Sequence, residues 1–281
     1  MDDGNLLEFP FEKECKNAGI DCKYLKKNKP GLTASRNEGI KNAAGDIIFF
    51  LDDDVVLFPD YIEEILIIYQ SDNKGLIGGV GGLIANPRPV TFSHRLRRIF
   101  DILFLLSGFH EGEILPSGFT TNFGVKSIPS KKVRGVDFLH GCAMSFRKEI
   151  FREFSFDTNR YHNYGLGEDQ DFSYRVSRKY KLFVNPKAML LHLESPQMRP
   201  DKKAMGRMFV LNRYLFFREN IKKHWWDWIF FYYSLCGYTL IRIIILLFSP
   251  TKEHTDRLRG IGEAIREIIS GDIQSGGKQK I

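Results

Sequence analysis

The chain has 281 residues, 43% of them hydrophobic and 27% charged, with a formal net charge of +7. That length suits one large α/β domain of roughly 200 residues plus an appendage, and the composition excludes both a disordered chain and an all-membrane one. The basic excess thickens around one long apolar run, while the rest carries acidic clusters, which argues against nucleic acid as a partner.

The start, Met1-Asp2-Asp3-Gly4-Asn5, is acidic and lacks the apolar stretch of a signal peptide. Cys15, Cys22, Cys142 and Cys236 complete no four-ligand zinc pattern and read as free thiols of a reducing compartment. Residues 33–45 read as a short helix, capped by Thr33 or by Ser35 with Glu38 three residues on, and ended by Gly45. Asp46 to Leu51 is an apolar run too short for a helix, and it fits a buried, parallel strand. It stops abruptly in Asp52-Asp53-Asp54. Pro59 then opens a helix with Ile62, Ile65, Leu66 and Tyr69 at helical spacing, and Leu76 to Ile84 returns as a glycine-rich strand. Strand, helix, strand is the grammar of an α/β fold.

Arg95 to Leu106 is a basic helix candidate followed by a Gly/Pro/Ser/Thr-rich loop. Regular structure resumes at Val136 to Arg147. The hinge Gly165-Leu166-Gly167 leads into a helix that begins with Glu168-Asp169 and places Phe172 and Val176 on one face. Lys181 to Val184 and Ala188 to Leu193 read as two short strands broken by Asn185-Pro186.

Three carboxylates at the end of a buried strand repel one another, and in open α/β sheets that end is where ligands bind. A hard divalent ion, Mn2+ or Mg2+, holding a diphosphate is the economical compensation. An EF-hand fails, because the glycine it needs at its sixth position is Leu57. The plain alternative is an acidic turn capping the next helix. Asp169, at the mouth of a glycine hinge, is placed to serve as a general base, although an acid at a helix start is also ordinary capping. His192, beyond the strand that begins at Ala188, becomes a third metal-ligand candidate, and Arg36 a phosphate contact.

Gly31 to Gly39, Gly45 to Pro59, Gly141 to Arg147 and Gly167 to Arg175, in this order and spacing, resemble the family 2 glycosyltransferases of GT-A fold over roughly residues 1–195. The resemblance implies a Rossmann-like mixed sheet and an inverting transferase that uses a nucleoside-diphosphate sugar and a divalent cation. Asp52 and Asp54 match the metal-binding Asp-x-Asp element and, with Asp53, face the donor. Asp169 matches the catalytic base within the Glu168-Asp169 pair, and Arg36-Asn37 match the element beside the nucleotide. Gly141, Cys142 and Arg147 match the segment behind the donor and acceptor sugars, with Asp171 near it. Asp2-Asp3 resemble the end of the family's second strand with nothing before it. A first strand and helix are therefore expected from an upstream stretch or from a partner chain.

The implied organisation is a partial GT-A domain over 1–200, a basic juxtamembrane helix or linker over 201–224, an apolar membrane-associated segment over 225–249, and an amphipathic helix with a flexible tail over 250–281. Residues 225–248 are long enough to span a bilayer core, which needs about 20 residues, and their tryptophans cluster at one end like an interfacial belt. Arg242 lies inside this run, and both flanks are basic, with Arg207, Arg213, Arg218, Lys222 and Lys223 before it and Lys252, Arg257, Arg259 and Arg266 after it. A single crossing would break the positive-inside rule, so in-plane or re-entrant attachment to the cytoplasmic side of the cell membrane is expected, with Leu258, Ile261 and Ile265 of the last helix facing lipid. A glycan, glycolipid or lipid-linked saccharide acceptor follows from that location. The rival readings are a catalytically impaired scaffold, a glycoside hydrolase and a nucleotidyltransferase. The last is the hardest to separate, since it shares the carboxylates, the metal and the nucleotide.

Overall fold

The computed structural model describes residues 1–2, 11–86, 92–123, 131–161, 164–193 and 200–273. Its centre is a mixed sheet. Strand β1 (Ile47–Leu51) pairs antiparallel with β5 (Ala143–Arg147), and β5 pairs antiparallel with β3 (Ile77–Ile84). Strand β3 runs parallel to β6 (Lys181–His192), whose other side takes β2 (Val55–Leu57) near one end and β4 (Arg134–Val136) near the other, both antiparallel. The expected parallel partner of β1 is thus an antiparallel one. Periodicity reports how deeply a strand is buried and carries no information about which strand lies beside it.

Helix α1 (Glu12–Asn17) precedes α2 (Leu32–Asn42), and α3 (Tyr61–Gln70) follows β2. The α2 cap differs from expectation. Gly31 is the N-cap, the Thr33 hydroxyl donates to Tyr161 O, and Ser35 donates back to Gly31 O, so neither hydroxyl caps, and the helix ends before Gly45. In α3, Ile65 and Tyr69 are buried as their spacing predicts, with Tyr61 beside them, whereas Ile62 faces outward.

The aromatic core beneath β1 and β5 packs Phe50, Phe146, Phe156 and Phe172 against one another, edge to face except for the stacked Phe156 and Phe172. Phe172 and Val176 come from α5 (Glu168–Ser177), on the face that their spacing marks. The two strands expected over 181–193 are one continuous strand. At its irregular middle, Asn185 donates to Glu64 O and accepts from Lys187 N, which satisfies polar groups the ladder leaves open.

Cys15 and Cys22 form a disulfide, which corrects the reading of four free thiols. Cys142 and Cys236 are free.

The C-terminal helices α6 (Lys202–Phe216), α7 (Asp227–Phe248) and α8 (Lys252–Ser270) surround a second core, which helix α4 (Phe92–Leu103) joins through Phe104 and Leu106 just beyond its end. Of the helix or linker expected over 201–224 it is a helix that forms, packed into this core with Val210, Leu211, Leu215 and Phe216 buried and continued by a π-helical turn over Phe217–Ile221. The apolar residues of α8 also turn inward. Ile261 is buried, and Leu258 and Ile265 pack on the same core, so the face expected to meet lipid meets protein.

Candidate active site

Strand register brings three segments to one end of the sheet. Leu51, the last residue of β1, pairs with Ala143, the first of β5, so His140, Gly141 and Cys142 arrive beside Asp52. Val55 pairs with His192, which sets the His192 ring against the acidic turn between β1 and β2. Nε2 of His192 lies 3.1 Å from Asp54 Oδ1, and Asn86 clamps the His192 backbone through both its amide nitrogen and its carbonyl oxygen. One donor atom each from Asp52, Cys142 and His192 lies within 4.8 Å of the others. Asp53 points outward as an exposed residue. Two carboxylates and an imidazole are a donor set that fits a divalent cation.

Arg36 is the hub behind this cluster. Its side chain is buried between the Phe50 and Phe156 rings, with one guanidinium nitrogen 2.5 Å from Glu168 Oε1 and another 3.9 Å from Asp52 Oδ1 and 3.3 Å from Gly141 O. Burial works against its charge, and Glu168, Asp169 and Asp52 together more than restore it, so the guanidinium stays a cation. Burial also pushes Glu168 up, to about 8, against the pull of Arg36, and leaves Glu168 Oε2 without a hydrogen-bond partner. Asp52 is raised by burial despite Arg36 and His140, and the Cys142 thiol is raised by burial as well.

The left-handed turn at Gly167 starts α5 and swings Asp169 back over the β5 end. Asp169 Oδ2 accepts the Gly141 amide at 2.9 Å and Oδ1 accepts its neighbour's amide, from Gln170, at 2.9 Å. A Cβ on Gly141 would crowd both Asp169 Oδ2, at 3.3 Å, and Arg36, at 3.1 Å, so a larger residue here would have to push the site's own charged groups aside by a few tenths of an ångström.

Several residues expected at the site stand elsewhere. Arg147 closes the opposite end of β5, four residues or roughly 13 Å away. There it donates to Ile77 O and Tyr69 O and pairs with Asp72, which makes it a structural clasp. Asp171 follows Asp169 by two residues, about 200° around the helix. It is held by Arg160, Arg175 and Asn220 on the wall of a separate cavity of about 440 Å³. Asn37 turns off the site to latch both backbone groups of Phe156. Asp2 forms a parallel bridge with Lys26 and accepts the Tyr24 hydroxyl at 2.5 Å, and Asp3 lies outside the described residues.

Three residues near the site escaped sequence reasoning. His140 is half-buried with Nδ1 3.0 Å from Cys142 Sγ, and desolvation lowers its affinity for a proton; its place beside Gly141 was the available signal. Arg213 of α6 is buried among Phe119, Phe209 and Phe216 and donates to Gln170 Oε1 and Gly118 O. Asn212 beside it donates to Leu166 O in the glycine hinge. Nothing local in the sequence marks Asn212 or Arg213, because both act through partners far along the chain.

Comparison with known proteins places this geometry. The family model described as Glycosyl transferase family 2 matches residues 10–154, more than half of the chain. Among solved structures, GalNAc-T7 with UDP, GalNAc and Mn2+ is similar at a TM-score of 0.52 and 14% identity, over 94% of this chain and 49% of that one, about half its length. The mannosyltransferase PcManGT from Pyrobaculum calidifontis, in complex with GDP-Man and Mn2+, gives 0.48 at 11% identity over 92% of this chain and 75% of that one. S. aureus TarS 1-349 in complex with UDP-GlcNAc gives 0.49 at 12% over 90% and 67%. No curated protein matches in sequence. With the matched segment carrying α2, the Asp52–Asp54 turn and Gly141 in one fold, the chain belongs to glycosyltransferase family 2 and is a glycosyltransferase of GT-A fold.

Proposed function

We propose that this chain transfers a sugar from a nucleoside-diphosphate-sugar donor to an acceptor hydroxyl, with inversion, using a divalent cation and Asp169 as base. The observation that carries the reading is the convergence of Asp169 with the Asp52 and His192 cluster at one sheet end, joined by Arg36 and the Gly141 backbone. Asp52, Asp54 and His192 are the residues to hold the metal. An imidazole in the set suits Mn2+ better than Mg2+, and the soft thiol of Cys142 suits neither. When bound, such an ion offsets the negative charge that builds on the diphosphate.

Asp169 has one amide donor on each carboxylate oxygen, which fixes its orientation and leaves a lone pair on each for an acceptor hydroxyl. In the displacement the acceptor oxygen bonds to C1 as its proton passes to Asp169. The C1–O bond to phosphate breaks on the opposite face, and the nucleoside diphosphate departs with the electron pair. Arg36 holds Glu168 in place and sets a fixed positive charge beside Asp52. The acceptor class is a glycan, glycolipid or lipid-linked saccharide presented at the cytoplasmic face of a membrane, to which the exposed apolar side of α7 attaches in plane.

The test is release of nucleoside diphosphate from a panel of UDP- and GDP-sugars with and without Mn2+, water standing in for the acceptor. Asp169→Asn should retain donor binding in calorimetry while turnover falls about 10² to 10⁴-fold, and Asp54→Ala should abolish metal-dependent donor binding. Release of pyrophosphate, or a product of retained anomeric configuration by NMR, would overturn the reading.

A further inference from the structure

The one helix long and apolar enough to cross a membrane among the described residues is α7, and its two faces differ sharply. Phe231, Ser234, Leu235, Tyr238 and Ile241 are buried in the second core. On the other side Ile229, Tyr233, Leu240, Ile243, Ile244 and Leu247 form an exposed stripe along nearly the whole helix, with Leu247 at 74% exposure. The charge inside the helix, Arg242, falls on the covered side, over the Tyr238 ring at 5.1 Å. A full crossing would carry charged α6 and α8, which cover that side, into the hydrocarbon.

Helix α4 extends the stripe. Leu96, Ile99, Phe100 and Leu103 recur at three- and four-residue spacing and are all exposed, Ile99 at 65%. The two stripes meet where the Tyr233 hydroxyl donates to Leu103 O and the Tyr233 ring lies 5.4 Å from that of Phe104. Gly237 allows this approach, since any Cβ there would run into the Phe104 ring. The result is an apolar surface that runs from α4 onto α7, and along α7 it extends roughly 33 Å. Soluble monomers rarely expose that much contiguous apolar area. Its exposed charges are cationic: Arg95 on α4, and Lys222 and Lys223 just before α7, beside Trp225 at 74% exposure, while the acid of the first turn of α7, Asp227, is half-buried and accepts the Lys223 and His224 amides. The acid of α4, Asp101, is buried against Arg97.

We propose that α4 and α7 together form a monotopic platform seated in the interfacial layer of an anionic phospholipid bilayer. Both apolar stripes enter the acyl boundary, and Arg95, Lys222 and Lys223 lie at the phosphates. This rests on the in-plane attachment stated above and adds α4 to it, in the role that α8 was expected to play. The commitment to lipid follows from the cationic rim, the exposed tryptophan at the stripe's end and the inward-turned Arg242, the pattern of an interfacial helix.

The experiment is co-sedimentation of the full chain with vesicles of phosphatidylcholine alone or with about a third phosphatidylglycerol, with circular dichroism and urea midpoints as folding controls. The wild type should bind the anionic vesicles, and Ile99→Glu/Leu103→Glu should weaken that binding at least tenfold while donor turnover in detergent is unchanged. Arg95→Glu/Lys223→Glu should remove the preference for anionic lipid. Tryptophan quenching by a lipid brominated near its headgroup end, which needs no variant, should exceed quenching by one brominated at the chain terminus. Vesicle binding that survives the α4 variant but fails in Ile243→Glu/Leu247→Glu would overturn the role of α4 and leave attachment through α7 standing. A wild type that ignores every vesicle would overturn attachment altogether, and a dimer broken by the α4 variant would reassign the face to a second copy of the chain.

Discussion

Helices α6 and α8 approach so closely at Gly206 and Gly260 that a single methyl group should separate them. A Cβ at Gly260 would lie 2.9 Å from the Arg207 amide nitrogen and closer still to the Lys203 carbonyl oxygen, both backbone atoms that cannot swing aside. Because the Lys203 carbonyl is the nearer atom, reaching ordinary contact demands a shift of about an ångström or more between helices whose seam holds Val210, Ile261 and Ala264. Gly260→Ala gains about 1 kcal/mol of helix propensity and loses about 3 kcal/mol, the upper end of the usual overpacking cost, because the atoms met are backbone, for a net loss of about 2 kcal/mol. Gly262, two residues on, has nothing within 4 Å of its added Cβ, so Gly262→Ala should only gain, by about 0.5 to 1 kcal/mol. The assay is urea unfolding in mild detergent, read as opposite shifts of midpoint at constant m-value. Because α6 carries Asn212 and Arg213, which bond Leu166 and Gln170 around Asp169, donor turnover should also fall in the Gly260 variant. Equal midpoints for the two variants would refute the packing argument.

Arg147→Met should cost about 2 to 4 kcal/mol by leaving Ile77 O and Tyr69 O without its guanidinium and by taking the cation from beside Asp72, which keeps its amide donors, yet leave donor affinity in the surviving folded protein unchanged; a raised donor Kd would return Arg147 to the sugar site. Burial disfavours the Asp72 carboxylate, but the amides of Ile77, Leu76 and Lys74 and the Arg147 guanidinium outweigh it and hold its pKa below the ordinary value. Its contribution is therefore complete above the unfolded carboxyl pKa, near 4, and lost as pH falls through the lower folded one. Asp72→Asn should accordingly flatten the acid limb of the stability curve, and an unchanged limb would contradict the cause. Under native, non-reducing conditions a thiol reagent should modify exposed Cys236 and spare Cys142, which is buried and whose thiol burial keeps protonated; unfolding without reductant should add Cys142 alone, because Cys15 and Cys22 are bonded. Mass spectrometry reads each state, and native labelling of Cys142 would contradict its burial.

What the sequence by itself determined is local. A short apolar run ending in three aspartates has to be a strand with a charged end, and a glycine hinge before Glu168-Asp169 has to open a helix whose Phe172 and Val176 face inward. Alternation and helical spacing are properties of consecutive residues and survive whatever the chain packs against. The tertiary structure alone decided the rest. Register set Ala143 against Leu51 and His192 against Val55, which gathered Asp52, Gly141 and His192 at one end and carried Arg147 to the other. Chain reversal brought Arg213 to Gln170 and turned α8 inward while leaving α4 outward. Partners of this kind are chosen by how whole elements dock, a competition among long-range contacts that no local window contains.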